Sequence, residues 1–292
     1  MSQCMTGYLC LRNRWRNKIY DRKKVLFLDM DGTTLNDQHE IPEDNLSAIK
    51  AASEAGHDVV ITTGRPEASA RNLMKKYRLD QAGCRYIIAN NGGTILDYQT
   101  GEILFSTGLP LPWVRDLVEE ARRQDVFIQT YAGDKVVAEK ENEGLDYYAK
   151  KNGMERLVVP DIMAVLEREP GKVLLIDMHD RSRLEKYKNS MEEWGRDKVE
   201  MYFSSREFLE VVPKGINKGN AVRAYCDMFH IPAANTVAAG DEQNDLPMIL
   251  AAGVGCAAAN AVDEVKAGAD YVTENDNNHS AVAEIIRKFM LS

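Results

Sequence analysis

Short apolar runs that end in polar clusters constrain the fold of this 292-residue chain more than any other sequence feature. Four of these runs, each predicted to be a strand, are Val25–Leu28, Val59–Ile61, Tyr86–Ala89 and Val237–Ala239. Helical patterns such as Pro42–Ala55 lie between them. Strands that alternate with helices predict βαβ units and a parallel sheet, whose strands are apolar throughout because helices cover both faces. The sequence therefore predicts an α/β fold with a Rossmann-like core, in which ligands bind at the carboxyl ends of the strands.

The middle of the chain has a different pattern, with paired strands and short turns. Two hairpins are predicted, Thr94–Tyr98 with Glu102–Ser106 and Val126–Tyr131 with Lys135–Glu139. Helices and further strands follow them, which indicates an α+β domain inserted into the parallel one. The predicted organisation is a basic N-terminal arm (1–22), a core domain (23–93 and 207–292) and an inserted domain (94–206).

The net charge argues against a dedicated nucleic-acid binder. The chain has 37 basic and 45 acidic residues, a net charge of −8 and a pI near 5.3, whereas phosphate backbones recruit basic surfaces. Residues 1–24 are an exception, with seven basic residues and one acid. We interpret this arm as disordered rather than as a nucleic-acid tail.

Targeting and redox signals are weak. There is no apolar run of the length that spans a membrane, and the apolar patch Tyr8–Leu11 is too short for the core of a secretory signal. The five cysteines are scattered without CxxC spacing, which is typical of neither a disulfide framework nor a zinc site. The sequence predicts reduced thiols and a cytoplasmic protein.

Two acidic clusters follow predicted strands directly. The first is Asp29-Met30-Asp31-Gly32-Thr33, where two carboxylates at one strand end repel each other unless a cation lies between them. The second cluster runs from Gly240 to Asp245 and contains three acids. Because both clusters belong to the same sheet edge, they predict a divalent cation held by oxygen ligands, as Mg²⁺ requires.

Two further segments could bind an anion. Thr62-Thr63-Gly64-Arg65-Pro66 closes the second strand, and Pro66 suits the first turn of a helix, whose N-terminus attracts anions. Lys218 begins another predicted helix, where its charge opposes the helix dipole. A lysine at this unfavourable position indicates a role other than stabilising the helix.

Together these motifs resemble the haloacid dehalogenase superfamily of Mg²⁺-dependent phosphotransferases. The four motifs occur in the family's order at Asp29–Thr33, Thr63, Lys218 and Gly240–Asp245. The resemblance covers residues 25–292, and the inserted domain resembles the large α/β cap of the Cof-type subfamily. The segments Ile61–Pro66, Asn90–Gly93 and Lys214–Gly219 support that placement.

The resemblance implies a role for each acid. Asp29 would be the nucleophile that forms an aspartyl phosphate, and Asp31 would protonate the leaving group and then activate water. Mg²⁺ would be held by the Asp29 carboxylate, the Asp31 main-chain carbonyl and Asp241. Asn244 and Asp245 would orient water ligands and the motif lysine rather than touch the metal.

Phosphate and substrate contacts are implied in the same way. Thr63, the Gly64 amide and Lys218 would bind the phosphoryl oxygens. The adjacent Thr62 is the alternative for the threonine, and Thr63 is favoured because it precedes Gly-Arg. Arg65, Asn91 and residues of the cap would contact the substrate.

The predicted function is Mg²⁺-dependent hydrolysis of small phosphate monoesters, such as sugar phosphates, by a protein that binds neither nucleic acid nor membrane. Two alternatives remain open at this point. A phosphomutase would use the same aspartyl phosphate and return the phosphoryl group to a sugar. A non-catalytic binding protein on the same scaffold is disfavoured because Asp29, Asp31, Lys218 and Asp241 are all present. The sequence does not indicate the oligomeric state.

Overall fold

The computed structural model describes residues 23–292, so the predicted arm (1–22) lies outside the described residues. These residues form two compact units. The first contains residues 23–62, Tyr77–Tyr86 and Lys218–Ser292, and the second contains Thr63–Lys76 and Ile87–Asn217. The core and inserted domains proposed from the sequence are a different kind of division, and their bounds stay a prediction.

Fourteen strands lie within the described residues 23–292. In chain order they are β1 (Val25–Leu28), β2 (Asp58–Thr62), β3 (Tyr86–Ala89), β4 (Thr94–Asp97), β5 (Ile103–Ser106), β6 (Phe127–Ala132), β7 (Lys135–Ala138), β8 (Glu155–Val158), β9 (Val173–Ile176), β10 (Val199–Phe203), β11 (Phe208–Pro213), β12 (Thr236–Gly240), β13 (Val254–Ala257) and β14 (Tyr271–Val272).

Helices connect these strands. They are α1 (Glu43–Glu54), α2 (Glu67–Tyr77), α3 (Leu111–Gln124), α4 (Glu143–Asn152), α5 (Arg181–Ser190), α6 (Glu192–Gly195), α7 (Lys218–Phe229), α8 (Leu246–Ala251), α9 (Asp263–Gly268) and α10 (Ala281–Ile285). Short 3₁₀ turns occur at Asn90–Gly92, Ile162–Ala164, Ala233–Asn235 and Asn277–His279, and a π-helical turn at Ile286–Met290. The longest helix, α3, has 14 residues, and no helix within 23–292 combines the length and hydropathy that crossing a bilayer requires.

The first unit contains a parallel sheet with the strand order β14-β13-β12-β1-β2. Strand β1 is central and buried in all four residues, which explains its uninterrupted apolar sequence. Leu28 pairs with Ala239 on one side and with Ile61 on the other. The residues that follow β1 and β12 therefore emerge at the same edge of the sheet. This sheet and its helices confirm the predicted α/β fold.

Aromatic packing fixes helix α7 against this sheet. Tyr225 is buried, and its ring lies 5.4 Å from that of Phe27 in an edge-to-face arrangement. The ring of Tyr86 also packs on the Tyr225 ring, with 5.5 Å between the ring centres. Such contacts add to the burial energy of each ring, so the first turn of α7 is held at a defined place beside β1.

The second unit contains β3 from Ile87 onward, β4, β5 and a separate sheet ordered β10-β11-β9-β6-β7-β8. The pairs in this six-stranded sheet are antiparallel except β7 with β8. Helices α3 and α5 cover one face with an apolar cluster. Helix α4 packs on the other face, which also carries charged and phenolic side chains. Both predicted hairpins are present, as β4–β5 and β6–β7.

Candidate active site

Asp29 lies at the carboxyl end of β1, where the backbone is tied to the neighbouring strand. Its amide donates to the carbonyl of Ala239 at 3.0 Å, and its own carbonyl accepts from the Thr34 hydroxyl at 2.5 Å. The residue is only 6% exposed. The carboxylate at this position is thus fixed by the sheet rather than by a flexible loop.

Lys218, the first residue of α7, is fully buried and touches two carboxylates. Its Nζ lies 2.5 Å from Oδ1 of Asp29 and 2.5 Å from Oδ1 of Asp245. Burial lowers the pKa of Lys218, but Asp245 and Asp29 raise it more, so it stands above its usual value. The two carboxylates therefore stabilise a cation that the helix dipole disfavours, and Lys218 in turn orients Asp29.

Asp241 and Asp245 follow β12 and differ in their partners. Oδ1 of Asp241 accepts from the Thr33 hydroxyl at 2.5 Å. Oδ2 of Asp245 accepts from the amides of Asp241 and Glu242 at 3.0 and 3.1 Å. Because Lys218 occupies its other oxygen, Asp245 is engaged on both sides, as expected of a residue that orients its neighbours.

A cation fits this cluster. Asp29, Asp241 and Asp245 offer oxygens that lie within 4.8 Å of one another, and the Lys218 ammonium offsets one of their three negative charges. Burial raises the pKa of Asp29, with further increases from Asp245 and Asp241 that oppose the effect of Lys218. Burial likewise raises the pKa of Asp241 to about 7. Carboxylate oxygens suit a hard divalent ion, so this aspartate cluster could hold a metal.

Two predicted residues of the first unit, Asp31 and Asn244, are exposed. Asp31 lies in the turn after β1, where its backbone forms a bridge with Leu35, and Leu35 itself is buried. An exposed carboxyl two residues beyond Asp29 is accessible to a substrate and to solvent.

The predicted phosphate and substrate residues belong to the second unit. Thr63 is buried, and its hydroxyl accepts from the Arg65 amide at 3.1 Å. Its carbonyl accepts from the Asn91 amide at 3.2 Å. The Asn91 side chain lies against Gly64, because a Cβ placed on Gly64 would be 2.8 Å from Asn91 Oδ1. The structure thus brings the Thr63–Arg65 turn, which follows β2, into contact with Asn91, which follows β3.

The Asn90–Gly92 turn has strained backbone. Asn90 and Asn91 have φ values of 53° and 54°, and Gly92 follows at 104°. Asparagine tolerates the left-handed region better than most residues, but two in succession are unusual and occur mainly at functional sites.

Sequence reasoning assigned no role to several residues that shape the acidic cluster. Thr33 binds Asp241, and Asn260 donates to the Gly32 carbonyl at 2.8 Å. Gly32 has a φ of 80°, and a Cβ there would lie 2.3 Å from Oδ2 of Asp241. Thr33 and Gly32 could have been found from their place in the first motif, whereas Asn260 is 228 residues from its partner and gives no local signal.

Comparisons with known proteins identify the family of this chain. Residues 26–286 match the model of the haloacid dehalogenase-like hydrolase family. YcsE of Bacillus subtilis (strain 168), a 5-amino-6-(5-phospho-D-ribitylamino)uracil phosphatase, is 30% identical over 274 residues, which cover 92% of this chain and 96% of YcsE.

Solved structures give the same result. The crystal structure of a haloacid dehalogenase-like hydrolase from Bacteroides thetaiotaomicron is similar with a TM-score of 0.84 and 30% identity, over 91% of this chain and 99% of that one. The subclass IIB sugar phosphatase BT4131 shares the fold, with a TM-score of 0.76 and 22% identity over 92% of this chain and 100% of its own. The chain therefore belongs to the haloacid dehalogenase superfamily, as a Cof-type phosphoric monoester hydrolase.

Proposed function

We propose that this phosphatase hydrolyses phosphate monoesters of small polyhydroxylated metabolites, such as sugar phosphates, with Mg²⁺ as cofactor. The observation that carries the proposal is the buried Asp29 carboxylate, held by Lys218 at 2.5 Å and flanked by Asp241 and Asp245. A nucleophilic carboxylate must be ionised and fixed in orientation. Lys218 fixes the orientation and lowers the pKa of Asp29, and a bound cation would offset the remaining effect of burial and of the neighbouring acids.

The proposed reaction has two steps. Asp29 attacks phosphorus, the ester P–O bond breaks, and Asp31 donates a proton to the leaving alkoxide. Water then attacks the phosphorus of the aspartyl phosphate, Asp31 accepts a proton from that water, and inorganic phosphate leaves with Asp29 restored. The exposure of Asp31 supports this role, since it must meet both the leaving group and water.

Mg²⁺ would be held by the Asp29 carboxylate, the Asp31 main-chain carbonyl and Asp241, with Asn244 and Asp245 as outer partners. When bound, it would neutralise charge that builds up as two anions approach each other. The excess of carboxylates over ammonium in the cluster supports a cation of this charge.

Phosphoryl oxygens would be bound by Lys218, Thr63 and the Gly64 amide, and Arg65 and Asn91 would contact the substrate. We assign choice of the leaving group to the inserted segment 94–206, acting as a cap. The relative YcsE acts on a phosphorylated ribityl compound, which supports polyol and sugar phosphates as the substrate class. A cytoplasmic location is part of the same proposal.

Phosphate release from a panel of hexose, pentose and polyol phosphates tests the proposal. Wild type should release phosphate with Mg²⁺ and lose this activity in excess EDTA. Asp29→Asn, which keeps size but removes the charge, should abolish release without unfolding the chain. Chelator-resistant turnover would contradict the metal assignment, and substantial turnover by Asp29→Asn would place the nucleophile elsewhere. No release from the panel by a folded, Mg²⁺-binding wild type, together with isomerisation of a sugar phosphate once an activating bisphosphate is added, would favour a phosphomutase.

A further inference from the structure

A buried ion pair in the second unit takes no part in the proposed chemistry. Lys172 directly precedes β9, and Glu210 lies in the middle of β11. Lys172 Nζ is 2.9 Å from Glu210 Oε2, and the two side chains are 4% and 9% exposed. The two strands pair antiparallel with Glu210 opposite Leu174, so the lysine reaches the carboxylate along one face of the sheet.

Stability alone is a poor reason for this pair. Removing two charges from water costs several kcal/mol, and apolar side chains of similar size often stabilise a fold as well or better. The opposite face of the same sheet is packed with apolar residues, so this sheet is suited to such a replacement. Burial lowers the pKa of Lys172, but Glu210 raises it more, and the lysine stays charged.

One arm of contacts leads from the ion pair to Gly64 through Lys172. The lysine Nζ lies 3.4 Å from the Gly64 carbonyl oxygen, which is a long hydrogen bond. The partner is a main-chain atom of the turn that contains Thr63 and Arg65. Lys172 thus connects the sheet of the second unit to the backbone of that turn.

A second arm leads to the same glycine through Tyr202. The Tyr202 hydroxyl donates to Glu210 Oε2 at 3.2 Å and accepts from Asn91 Nδ2 at 2.9 Å. Burial and the neighbouring carboxylate raise the pKa of Tyr202 above its usual value, so the phenol stays protonated and can donate. Asn91 in turn packs on Gly64, and the two arms therefore converge on one residue.

We propose that Glu210 is a positioning residue that acts through Lys172 and Tyr202 to fix the Thr63–Gly64 turn from two sides. This role rests on the proposed function, in which that turn binds the phosphoryl oxygens. Donors of this kind act most strongly on the charge that develops in the transition state. Weakening either arm should therefore lower kcat and leave KM nearly unchanged.

Tyr202→Phe tests the role with little risk to folding, because it removes one hydroxyl and keeps the ring. Tyr187→Phe is the matched control, since the Tyr187 hydroxyl is buried in the same unit and donates to the Leu117 carbonyl at 2.8 Å. We expect Tyr202→Phe to lower kcat about fivefold, equivalent to about 1 kcal/mol, with KM within about twofold of wild type. Tyr187→Phe should keep the wild-type kcat.

Hydrogen exchange of peptides that cover 63–66 gives a readout that needs no turnover. Exchange there should be faster in Tyr202→Phe and in Lys172→Met than in wild type, and unchanged in Tyr187→Phe. Unchanged exchange at 63–66 in Tyr202→Phe, or a kcat equal to that of Tyr187→Phe, would overturn the positioning role while wild-type turnover upholds the phosphatase. Absence of phosphate release by wild type would instead refute the proposed function.

Discussion

Replacing Gly32 by alanine tests how closely the first motif is built around Asp241. Gly32 has a φ of 80°, and a Cβ built on it would lie 2.3 Å from Oδ2 and 2.9 Å from Cγ of Asp241. The substitution therefore has two separate effects: it strains the backbone, because alanine would adopt a left-handed conformation, and it displaces the Asp241 carboxylate. Only the second should alter binding of a metal.

Gly56 provides the matched control in the same unit. Its φ is 89°, and a Cβ there would meet no atom within 4 Å. Gly56→Ala should destabilise the protein by about 1–2 kcal/mol through backbone strain alone. Gly32→Ala carries the same strain and also disturbs the Thr33–Asp241 hydrogen bond of 2.5 Å, which adds about 1 kcal/mol.

The larger difference should be in Mg²⁺ dependence. Outer partners of a metal ligand typically change affinity by about 10–100-fold when they are altered, and we expect a loss of that order for Gly32→Ala. Thermal unfolding in EDTA gives the strain, and the midpoint shift during a Mg²⁺ titration gives the affinity. Equal Mg²⁺ titrations for Gly32→Ala and Gly56→Ala would show that Asp241 does not bind the metal.

Two further substitutions have defined outcomes. Lys218→Met should destabilise the fold by about 3–5 kcal/mol, because it leaves buried carboxylates unpaired. Loss of the Lys218 ammonium raises the pKa of Asp29 in the folded protein further. A carboxyl group with a raised folded-state pKa contributes stability below its unfolded pKa, and this contribution is lost as pH rises through the folded-state pKa. Because Asp29 already has a raised pKa in wild type, the deficit against wild type should grow as pH rises above that folded-state pKa, and urea unfolding that shows a pH-independent deficit would contradict the reasoning. Gln129→Met should raise stability by about 1–3 kcal/mol, since both polar atoms of this fully buried side chain lack a partner; a loss on urea unfolding would indicate that the amide has one.

The acidic cluster could be predicted because its parts are local. Asp29 follows four apolar residues and Asp241 follows another apolar run, and parallel strands bring their carboxyl ends to one edge. The strands Val25–Leu28 and Tyr86–Ala89 have the bounds that the sequence predicts, because buried runs end sharply at polar residues.

Contacts between distant residues could not be predicted in this way. Lys172 and Glu210 are 38 residues apart, and each would be read as a surface charge on a strand. Strand β8, with the sequence ERLV, was also missed, because it is an edge strand with three of its four residues exposed. Lys172 is paired with Glu210 and β8 with β7 only in the folded protein, so neither pairing has a local sequence signal.

The left-handed backbone at Asn90 and Asn91 has a consequence for the improvement of this protein by selection. Glycine at either position would relieve backbone strain, so a screen for heat resistance should favour it. At residue 91, however, glycine would also remove the amide that binds Tyr202 and packs on Gly64. Selection for stability and selection for activity would then favour different side chains at residue 91. A screen that measures only survival on heating would therefore select variants with reduced phosphatase activity.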